Sequence, residues 1–358
     1  MTGLAVHAAV AGRDVDLALD VPSGSVVAVV GPNGSGKTTL LHLVAGLVAP
    51  TSGTVRIGER TVAETATGSA AVTVPPHRRH VALLTQRPAL FPHLDVLANV
   101  MFGPLATGSS RTVAKERAQA ELAAVGCAEF ASRRAHQLSG GQAQRVAIAR
   151  ALATDPEVVL LDEPIAGLDI AVAAEVRHAL AGRLRGRTAL LVTHEVLDIW
   201  TIADRVAVVE AGRVVASGAT ADLLARPPTG FLAQLGGTNL LSGIAVGTDS
   251  LELAPGVLLR GLADADQPPS PGTEALASVP PEAVSLHLAE PGGSPRNVLA
   301  AEVTGIEPRG QVVRVHLALA GHDLSADLTA QAVAELALRP GSPVRAAIKA
   351  TSVRLYGR

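Results

Sequence analysis

The sequence of 358 residues is poor in cysteine, lysine and long apolar runs. Its single cysteine, Cys127, excludes an internal disulfide and suits a reducing cytosol. The N-terminal residues show no basic start followed by an apolar core, so we expect no signal peptide. No stretch approaches the ~18 apolar residues of a membrane-spanning helix. Any membrane role is therefore expected to act through a partner.

Positive charge is not in excess either. The chain has 30 Lys and Arg residues against 32 Asp and Glu residues, a formal net charge of -2 at pH 7. This balance argues against a broad nucleic-acid-binding surface, so we expect no nucleic-acid partner. What the chain does have is length and apolar content, enough for two or three domains with their own cores.

Short apolar runs alternate with helical patterns up to about residue 235. Four runs are typical of buried parallel strands: Val26–Val30, His80–Gln86, Val158–Glu163 and Thr188–Glu195. The pattern predicts an α/β domain over residues 1–235.

From Gly236 the helical patterns nearly vanish, and short apolar alternations are separated by Pro and Gly, which predicts small β-barrel material. Residues 239–244 resemble 297–303, and residues 272–288 resemble 341–357. We interpret these as two copies of one β module, a degenerate first copy with linker at 236–293 and a second copy at 294–358. Chance similarity of short strands is the alternative.

The segment GPNGSGKTT lies between the first buried strand and a helix and fits the P-loop pattern. Its backbone N–H groups and the helix N-terminus favour phosphate, Lys37 reaches the β- and γ-phosphates, and the Thr38 hydroxyl can bind Mg²⁺. The predicted nucleotide-binding residues are Gly31, Pro32, Asn33, Gly34, Ser35, Gly36, Lys37, Thr38 and Thr39.

Polar side chains stand at the ends of three further apolar strands. They are Gln86, the pair Asp162 and Glu163, and His194. Ligands sit at the carboxyl ends of strands in α/β sheets. A carboxylate there can hold Mg²⁺, and a second one can orient or deprotonate an attacking water. Each alone is an ordinary surface residue, but four beside one P-loop are better explained together.

A second glycine turn, Leu138–Gln142 (LSGGQ), precedes a helix. The ordered set formed by this turn, the P-loop, Gln86, Val158–Glu163, Ala166–Asp169 (AGLD) and His194 closely resembles the ATPase subunit of ABC transporters. The resemblance covers the first ~235 residues. It implies a P-loop ABC-ATPase fold, a parallel-rich sheet with a helical subdomain, followed here by an all-β, OB-like barrel domain.

The resemblance also implies roles. Two copies pair head to tail, and Ser139, Gly140, Gly141 and Gln142 of one cover the γ-phosphate of ATP bound to the other. Glu163 is the implied general base, and His194 contacts the γ-phosphate. Gln86 senses that phosphate together with Mg²⁺, for which Thr38 and Asp162 are the other implied ligands. Asp169 bridges to the second copy.

One departure concerns the base. Members of this family usually stack adenine on an aromatic side chain of the first strand, and the corresponding stretch here has none. We expect the base to stack on His7 or to rest on apolar residues.

The segment Arg87–Gly103 resembles the importer type. There it helps to form the groove that receives a helix of the membrane permease, and a periplasmic or surface substrate-binding protein is a further, indirect partner. The candidate apolar contacts are Leu90, Phe91, Leu94, Met101 and Phe102. Core packing in the helical subdomain is the alternative for each.

The tail, residues 294–358, resembles the molybdate- or tungstate-binding (Mop/TOBE) module of molybdate-importer ATPases. A tetrahedral dianion needs several donors and positive charge but no metal. The candidate oxyanion residues are Ser294, Arg296, Asn297, Lys349, Ala350 and Thr351. A plain structural barrel is the alternative.

Together these features predict an ATP- and Mg²⁺-dependent hydrolase at the cytoplasmic face of the membrane that energises molybdate import, with a tail that senses cytosolic molybdate. One alternative is the same role for another cargo, such as sulfate, tungstate, iron, polyamine or sugar. Another is an oxyanion-binding sensor or store that does not drive transport.

Overall fold

The computed structural model describes residues 2–65, 71–293 and 295–358. Contacts between residues divide the chain into two compact units, Met1–Ala221 and Asp222–Arg358. The first unit thus ends before the predicted domain boundary at residue 235. Within the described residues, no helix is both long enough and apolar enough to cross a membrane.

The first unit combines two sheets with a set of helices. Its strands are β1 (Thr2–Val10), β2 (Val15–Pro22), β3 (Val26–Val30), β4 (Ser52–Ile57), β5 (Arg60–Thr65), β6 (Val72–Thr73), β7 (Val81–Leu84), β8 (Val158–Asp162), β9 (Thr188–Val192), β10 (Arg205–Glu210) and β11 (Arg213–Ala219). Its α-helices are α1 (Lys37–Ala45), α2 (Val96–Ala106), α3 (Arg111–Ala124), α4 (Gly140–Ala153), α5 (Ile170–Leu184) and α6 (Val196–Ile202). Short 3₁₀ turns lie at Ala11–Arg13, Pro76–Arg78, Ala128–Phe130 and Ala135–Gln137, and α7 (Thr220–Ala225) spans the boundary between the units.

The larger sheet of this unit has the strand order β11-β10-β3-β9-β8-β7. All neighbours in it are parallel except the β10–β11 hairpin. The four predicted strands are confirmed as β3, β7, β8 and β9, each within the predicted run; β3, β8 and β9 are buried almost throughout, whereas the edge strand β7 alternates between partly and fully buried residues. Every residue of β3 and β9 is buried, as expected for strands at the centre of a parallel sheet that is covered on both faces.

The second sheet, in the order β2-β1-β4-β5-β6, is antiparallel. Its strand β2 alternates buried and exposed residues, as expected when one face packs on a core. The buried face shares one apolar cluster with α1 and with strands of the larger sheet. Helices α2, α3 and α4 contact one another and form the predicted helical subdomain.

The C-terminal end of α1 is held by a buried arginine. Arg79 is 1% exposed, and its guanidinium donates hydrogen bonds to the carbonyl oxygens of Val74, Leu43 and Val44 at 2.8, 2.8 and 3.1 Å. Gly46 follows α1 with φ 79°, and a Cβ added there would lie 2.5 Å from Arg79 Nε. Arg79 and Gly46 thus fix the far end of the helix that begins in the P-loop.

We expect Gly46→Ala to lower the free energy of unfolding of the first unit by about 3 kcal/mol. Left-handed backbone accounts for about 1 kcal/mol of this, and displacement of buried hydrogen bonds to the guanidinium accounts for the rest. The measurement is urea unfolding followed by fluorescence of the single tryptophan, Trp200, which lies in this unit.

Gly186→Ala is the matched control. Gly186 also has a positive φ, 73°, but an added Cβ would meet nothing within 4 Å. It is expected to cost about 1 kcal/mol, from backbone strain alone. Equal losses in both variants would show that contact with Arg79 contributes nothing.

The second unit consists mainly of strands. They are β12 (Asn239–Ala245), β13 (Ser250–Ala254), β14 (Val257–Arg260), β15 (Leu262–Ala263), β16 (Glu274–Val279), β17 (Val284–His287), β18 (Asn297–Arg309), β19 (Val312–Leu319), β20 (His322–Leu328), β21 (Pro343–Ile348) and β22 (Arg354–Gly357). Helices α8 (Gly230–Leu235) and α9 (Ala330–Glu335) and the 3₁₀ turns Pro281–Ala283 and Ala350–Ser352 complete it. Two sheets, β14-β13-β12-β16-β22-β15 and β17-β21-β18-β19-β20, enclose one apolar core.

The two sequence copies exchange strands. β17, from the first copy, pairs with β21 of the second, and β22, from the second copy, pairs with β16 of the first. Residues 236–293 and 294–358 therefore do not form separate sheets. Local periodicity cannot predict this strand pairing. Strands paired within each copy and strands exchanged between the copies would bury the same residues.

The equivalent asparagines of the two copies connect the halves. Asn239 and Asn297 occupy matching positions, opposite Val279 and Ile348 in their ladders. The Asn239 amide bonds the backbone of Ser325 in the second copy, at 2.7 and 2.9 Å. The Asn297 amide bonds the backbone of Arg260 in the first copy, also at 2.7 and 2.9 Å.

Candidate active site

The P-loop connects β3 to α1. Gly31 begins it with φ 152°, and an added Cβ would lie 1.9 Å from the carbonyl oxygen of Val209, so only glycine fits there. Lys37 is 7% exposed and donates hydrogen bonds to the carbonyl oxygens of Gly31 and Pro32, each at 2.8 Å. Burial lowers the pKa of the Lys37 ammonium, and the nearby carboxylates of Glu163 and Asp162 oppose that effect.

The strand order brings the other predicted side chains to the P-loop. Strands β7, β8, β9 and β3 are consecutive neighbours and parallel, so their carboxyl ends meet at one edge. Glu163, which follows β8, lies between His194 and Gln86. Its carboxylate is 3.0 Å from His194 Nε2 and accepts a hydrogen bond from Gln86 Nε2 at 3.2 Å. Two residues far apart in sequence, Gln86 and His194, therefore flank the carboxylate of Glu163.

Glu163 also has unusual backbone geometry. Its φ of 48° is in the left-handed region, which costs free energy for a residue with a Cβ. The hydrogen bond from its N–H to the carbonyl oxygen of Val192, 3.0 Å long, fixes this conformation. The backbone is thus strained at the point that directs the carboxylate between His194 and Gln86.

Asp162 faces the first turn of α1. Its Oδ2 lies 3.5 Å from Thr38 Oγ1. Burial raises the pKa of the Asp162 carboxyl, and the negative charge of Glu163 raises it further. A site that disfavours ionisation in this way would be stabilised by a cation placed between the two side chains.

A cavity of about 340 Å³ is lined by Lys37, Thr38, Asp162, Glu163 and His194, whereas Gln86 does not line it. Most of its lining was predicted as part of the site, but Arg13, Val15 and the β9 residue Val192 were not. The lining residues are Arg13, Val15, Asn33, Gly34, Ser35, Gly36, Lys37, Thr38, Thr39, Asp162, Glu163, Val192 and His194. His7, the predicted stacking residue, is not among them, and its ring instead lies 3.2 Å from Asp20.

The second glycine turn does not line this cavity. Ser139 is the N-cap of α4, where its Oγ accepts a hydrogen bond from the Gln142 N–H at 3.3 Å and its own N–H donates to Gln142 Oε1 at 3.0 Å. Ser139 and Gly140 are exposed. A Cβ on Gly141 would lie 2.9 Å from Val172, so the turn packs against α5.

Asp169, the predicted bridging residue, is the N-cap of α5 and makes no capping bond with its side chain. The next residue, Ile170, is 92% exposed. Asp169 and Ile170 are thus both exposed at the start of α5.

The predicted apolar contacts of residues 87–103 divide into two groups. Leu94, Met101 and Phe102 line a cavity of about 430 Å³ on the helical subdomain. Leu90 and Phe91 do not line it, although the Phe91 ring packs against Phe102 with ring centroids 4.6 Å apart.

The predicted oxyanion residues of the tail lie around the end of one ladder. Asn297 pairs with Ile348, so Arg296 and Lys349 follow at the adjacent position, and both are exposed. Ala350 and Thr351 begin the next 3₁₀ turn. Ser294 lies outside the described residues.

Asn297 does not have the free amide expected of an oxyanion-binding residue. It is 1% exposed, and its Nδ2 donates to the carbonyl oxygens of Arg260 and Ile348 at 2.9 and 3.2 Å. Both amide hydrogens are engaged, so none is left for an anion. We therefore revise its role to that of a link between strands.

This arrangement of glycine loop, buried lysine and carboxylate pair defines a P-loop nucleoside triphosphatase. Comparison with known proteins narrows the class: residues 15–166 match the ABC transporter family and residues 293–355 match the TOBE domain. A molybdenum import ATP-binding protein of Mycobacterium tuberculosis (strain ATCC 25618 / H37Rv) is 43% identical over 369 residues, covering 99% of this chain and 98% of that protein.

Two further relatives extend the comparison. A molybdate/tungstate import ATP-binding protein of Pyrococcus horikoshii is 32% identical, covering 95% of each chain. A dimeric structure of the ATP-binding cassette MJ0796, in a post-hydrolysis state with bound ADP and Pi, is 30% identical with a TM-score of 0.50, covering 57% of this chain and 89% of that one. This chain belongs to the family of ABC-transporter ATP-binding proteins with a C-terminal TOBE domain. It binds ATP and couples its hydrolysis to transport.

Proposed function

We propose that this chain energises the import of molybdate through a membrane permease, which it contacts at the cytoplasmic face of the membrane. The observation that carries the proposal is the 43% identity to a molybdenum import ATP-binding protein over 99% of the chain. That match includes both the cassette and the tail. The exposed Arg296 and Lys349 add positive charge of the kind that a dianion requires.

The ATP site is proposed to work as follows. The backbone of residues 31–36 and Lys37 hold the β- and γ-phosphates, as the glycine loop and buried lysine suit. The buried Ser35 Oγ has no hydrogen-bond partner within the described chain, which fits a loop built around a ligand.

Thr38, Asp162 and Gln86 fit Mg²⁺. A hydroxyl, one carboxylate and an amide are oxygen donors that Mg²⁺ accepts when phosphate and water supply the rest. No cluster of three or more His, Cys, Asp or Glu side chains is positioned for a metal within the described residues, which is consistent with a cation held mainly by the nucleotide. The ion would neutralise charge on the phosphate oxygens.

Glu163 is proposed to take the proton of the attacking water. It is the only carboxylate placed between His194 and Gln86 among the residues that line the cavity. His194 then orients the carboxylate and contacts the γ-phosphate, and Gln86 senses that phosphate together with Mg²⁺. Hydrolysis removes the γ-phosphate, near which Glu163, His194 and Gln86 are all proposed to act.

A second copy is proposed to complete the site. Ser139, Gly140, Gly141 and Gln142 do not line the cavity of their own chain, and Ser139 and Gly140 are exposed, so they are free to cover ATP on a partner. Asp169 and the exposed Ile170 would lie in the same interface. The dimeric cassette bound to ADP and Pi provides a related example of pairing.

The permease is proposed to dock at the cavity lined by Leu94, Met101 and Phe102. Phe102 is 49% exposed although its ring packs against Phe91, so part of an aromatic face is left open to a partner. A short helix of the permease with an apolar face would cover it. A substrate-binding protein on the other side of the membrane would then be an indirect partner.

The function is tested in vesicles that contain the chain and its permease. We expect ATP-dependent uptake of molybdate, measured by elemental analysis, and weaker uptake of sulfate. Tungstate is the competing cargo suggested by the Pyrococcus relative. Preferred uptake of sulfate, or molybdate binding with no uptake at all, would favour another cargo or the sensor alternative.

The tail gives the same vesicles a second readout. We expect micromolar molybdate on the tail side to inhibit ATP hydrolysis, and Arg296→Ala or Lys349→Ala to relieve the inhibition without changing ATP affinity. Inhibition requires that molybdate prefer the resting state, and a preference of ~10–100-fold corresponds to about 1.4–2.7 kcal/mol of coupling.

Arg345→Ala is the control, because it removes the same charge from an exposed position on β21, the strand that precedes Lys349. It is expected to leave inhibition intact. If the complex binds no molybdate through its tail, or binds it without effect on the rate, the feedback proposal fails.

A further inference from the structure

Two neighbouring threonines of α1 separate the cavity into two sides. Thr38 Oγ1 lies 3.5 Å from Asp162 Oδ2, on the side of the carboxylates. Thr39 Oγ1 accepts a hydrogen bond from Arg13 Nη1 at 3.3 Å, so Arg13 stands on the other side of the same helix turn. The carboxylates of Asp162 and Glu163 are proposed to act at the γ-phosphate. The side of the cavity that holds Arg13 therefore remains for the nucleoside part of ATP.

The backbone that carries Arg13 is fixed to the P-loop. Arg13 ends the 3₁₀ turn Ala11–Arg13, and two residues later Val15 is close enough that a Cβ added to Gly36 would lie 3.0 Å from its Cγ2. Gly212 links the same segment to the loop, since its carbonyl oxygen accepts from Asp16 N–H at 2.8 Å and its N–H donates to Ser35 O at 3.1 Å. The Arg13 side chain is thus exposed, while the backbone next to it is held against the P-loop.

We propose that the Arg13 guanidinium stacks on the purine ring of the bound nucleotide and is the residue that holds the base. A guanidinium is planar, weakly hydrated and always charged, and it stacks on aromatic faces. Among the residues that line the cavity, Arg13 offers a planar cationic group that contacts Thr39, on the side away from the carboxylates, and Val15 supplies apolar contact nearby. The inference rests on the proposed ATP site at residues 31–39.

The test uses the full chain and two ligands, ATP and inorganic tripolyphosphate, titrated calorimetrically with Mg²⁺ present. Arg13→Ala is expected to weaken ATP binding about tenfold, the usual size of one lost base-stacking contact, and to leave tripolyphosphate binding unchanged. Arg13→Lys, which keeps the charge without the plane, is expected to weaken ATP similarly. Arg13→Trp, which restores a plane without the charge, is expected to recover ATP affinity to within about threefold of the parent.

Arg185→Ala is the matched control, because Arg185 is exposed and does not line the cavity. It is expected to change neither affinity. Equal weakening of ATP and tripolyphosphate by Arg13→Ala would overturn the inference, because Arg13 would then act on the phosphates. Parental ATP affinity in Arg13→Lys would also overturn it, since charge alone would suffice.

The ATP site itself is checked separately in the same titrations. Lys37→Ala is expected to lose both ligands. If the parent chain binds neither ligand, the proposed ATP site fails and the inference fails with it. If the parent binds both and Arg13→Ala binds ATP unchanged, only the assignment of the base contact to Arg13 is wrong.

Discussion

Glu163→Gln is expected to reduce steady-state ATP hydrolysis by about 10²–10⁴-fold, the usual cost of losing a general base. Glutamine keeps the shape of the side chain and one oxygen acceptor, so contact with His194 or Gln86, now at 3.0 and 3.2 Å, survives in part. The amide cannot accept the proton of water. ATP binding and ATP-driven pairing of two chains are therefore expected to persist, because they depend on the P-loop and the second glycine turn.

The measurements are phosphate release and light scattering with and without ATP. Glu157→Gln is the matched control, since Glu157 directly precedes the same strand β8 at its opposite end and its carboxylate lies 3.5 Å from the guanidinium of the half-buried Arg60. It is expected to hydrolyse ATP at the parental rate. A Glu163→Gln rate within about threefold of the parent would remove Glu163 from the role of base.

Mixing two inactive variants is expected to restore hydrolysis. Ser139→Ala removes the hydroxyl of the second glycine turn, and Lys37→Ala removes the ammonium that holds phosphate. In a mixed dimer, the Lys37 of one chain and the Ser139 of the other meet at one intact site. About a quarter of the parental rate is expected, because half of the randomly formed dimers contain one intact site out of two.

The control pairs Lys37→Ala with the double variant Lys37→Ala/Ser139→Ala. No combination of those chains contains an intact site, so mixing is expected to restore nothing. Recovery in the first mixture and none in the second would support a site shared between chains. A first mixture that gives only the average of its two components would count against the shared site, and the exposed turn would then need another explanation.

Local patterns in the sequence were sufficient for much of the cassette. The apolar runs at β3, β7, β8 and β9 predicted buried parallel strands because a strand covered on both faces has no polar side. The glycine loop could be assigned because phosphate needs backbone N–H groups, which only a few loop geometries expose. The polar residues at strand ends could be assigned to one edge because parallel strands end together.

The proposed base contact depends on features that local patterns do not report. The sequence offered His7 or apolar residues as the contact with the base, whereas in the structure His7 lies beside Asp20 and Arg13 and Val15 line the cavity. A turn of three residues between β1 and β2 decides which side chain faces the P-loop. No periodicity in the sequence reports that choice, because it depends on Val15 packing beside Gly36 from a segment more than twenty residues away.

The sequence by itself determined the elements of this protein: a P-loop, buried strands with polar ends, a second glycine turn and a tail of short strands. These follow from residue types within short windows, where backbone geometry and burial leave few options. Only the tertiary structure decided which of them meet. It placed Glu163 between Gln86 and His194, committed both hydrogens of the Asn297 amide to the backbone and exchanged β17 and β22 between the two sheets. The physical reason is that strand order and side-chain partners are set by contacts distant along the chain, which local propensity leaves open.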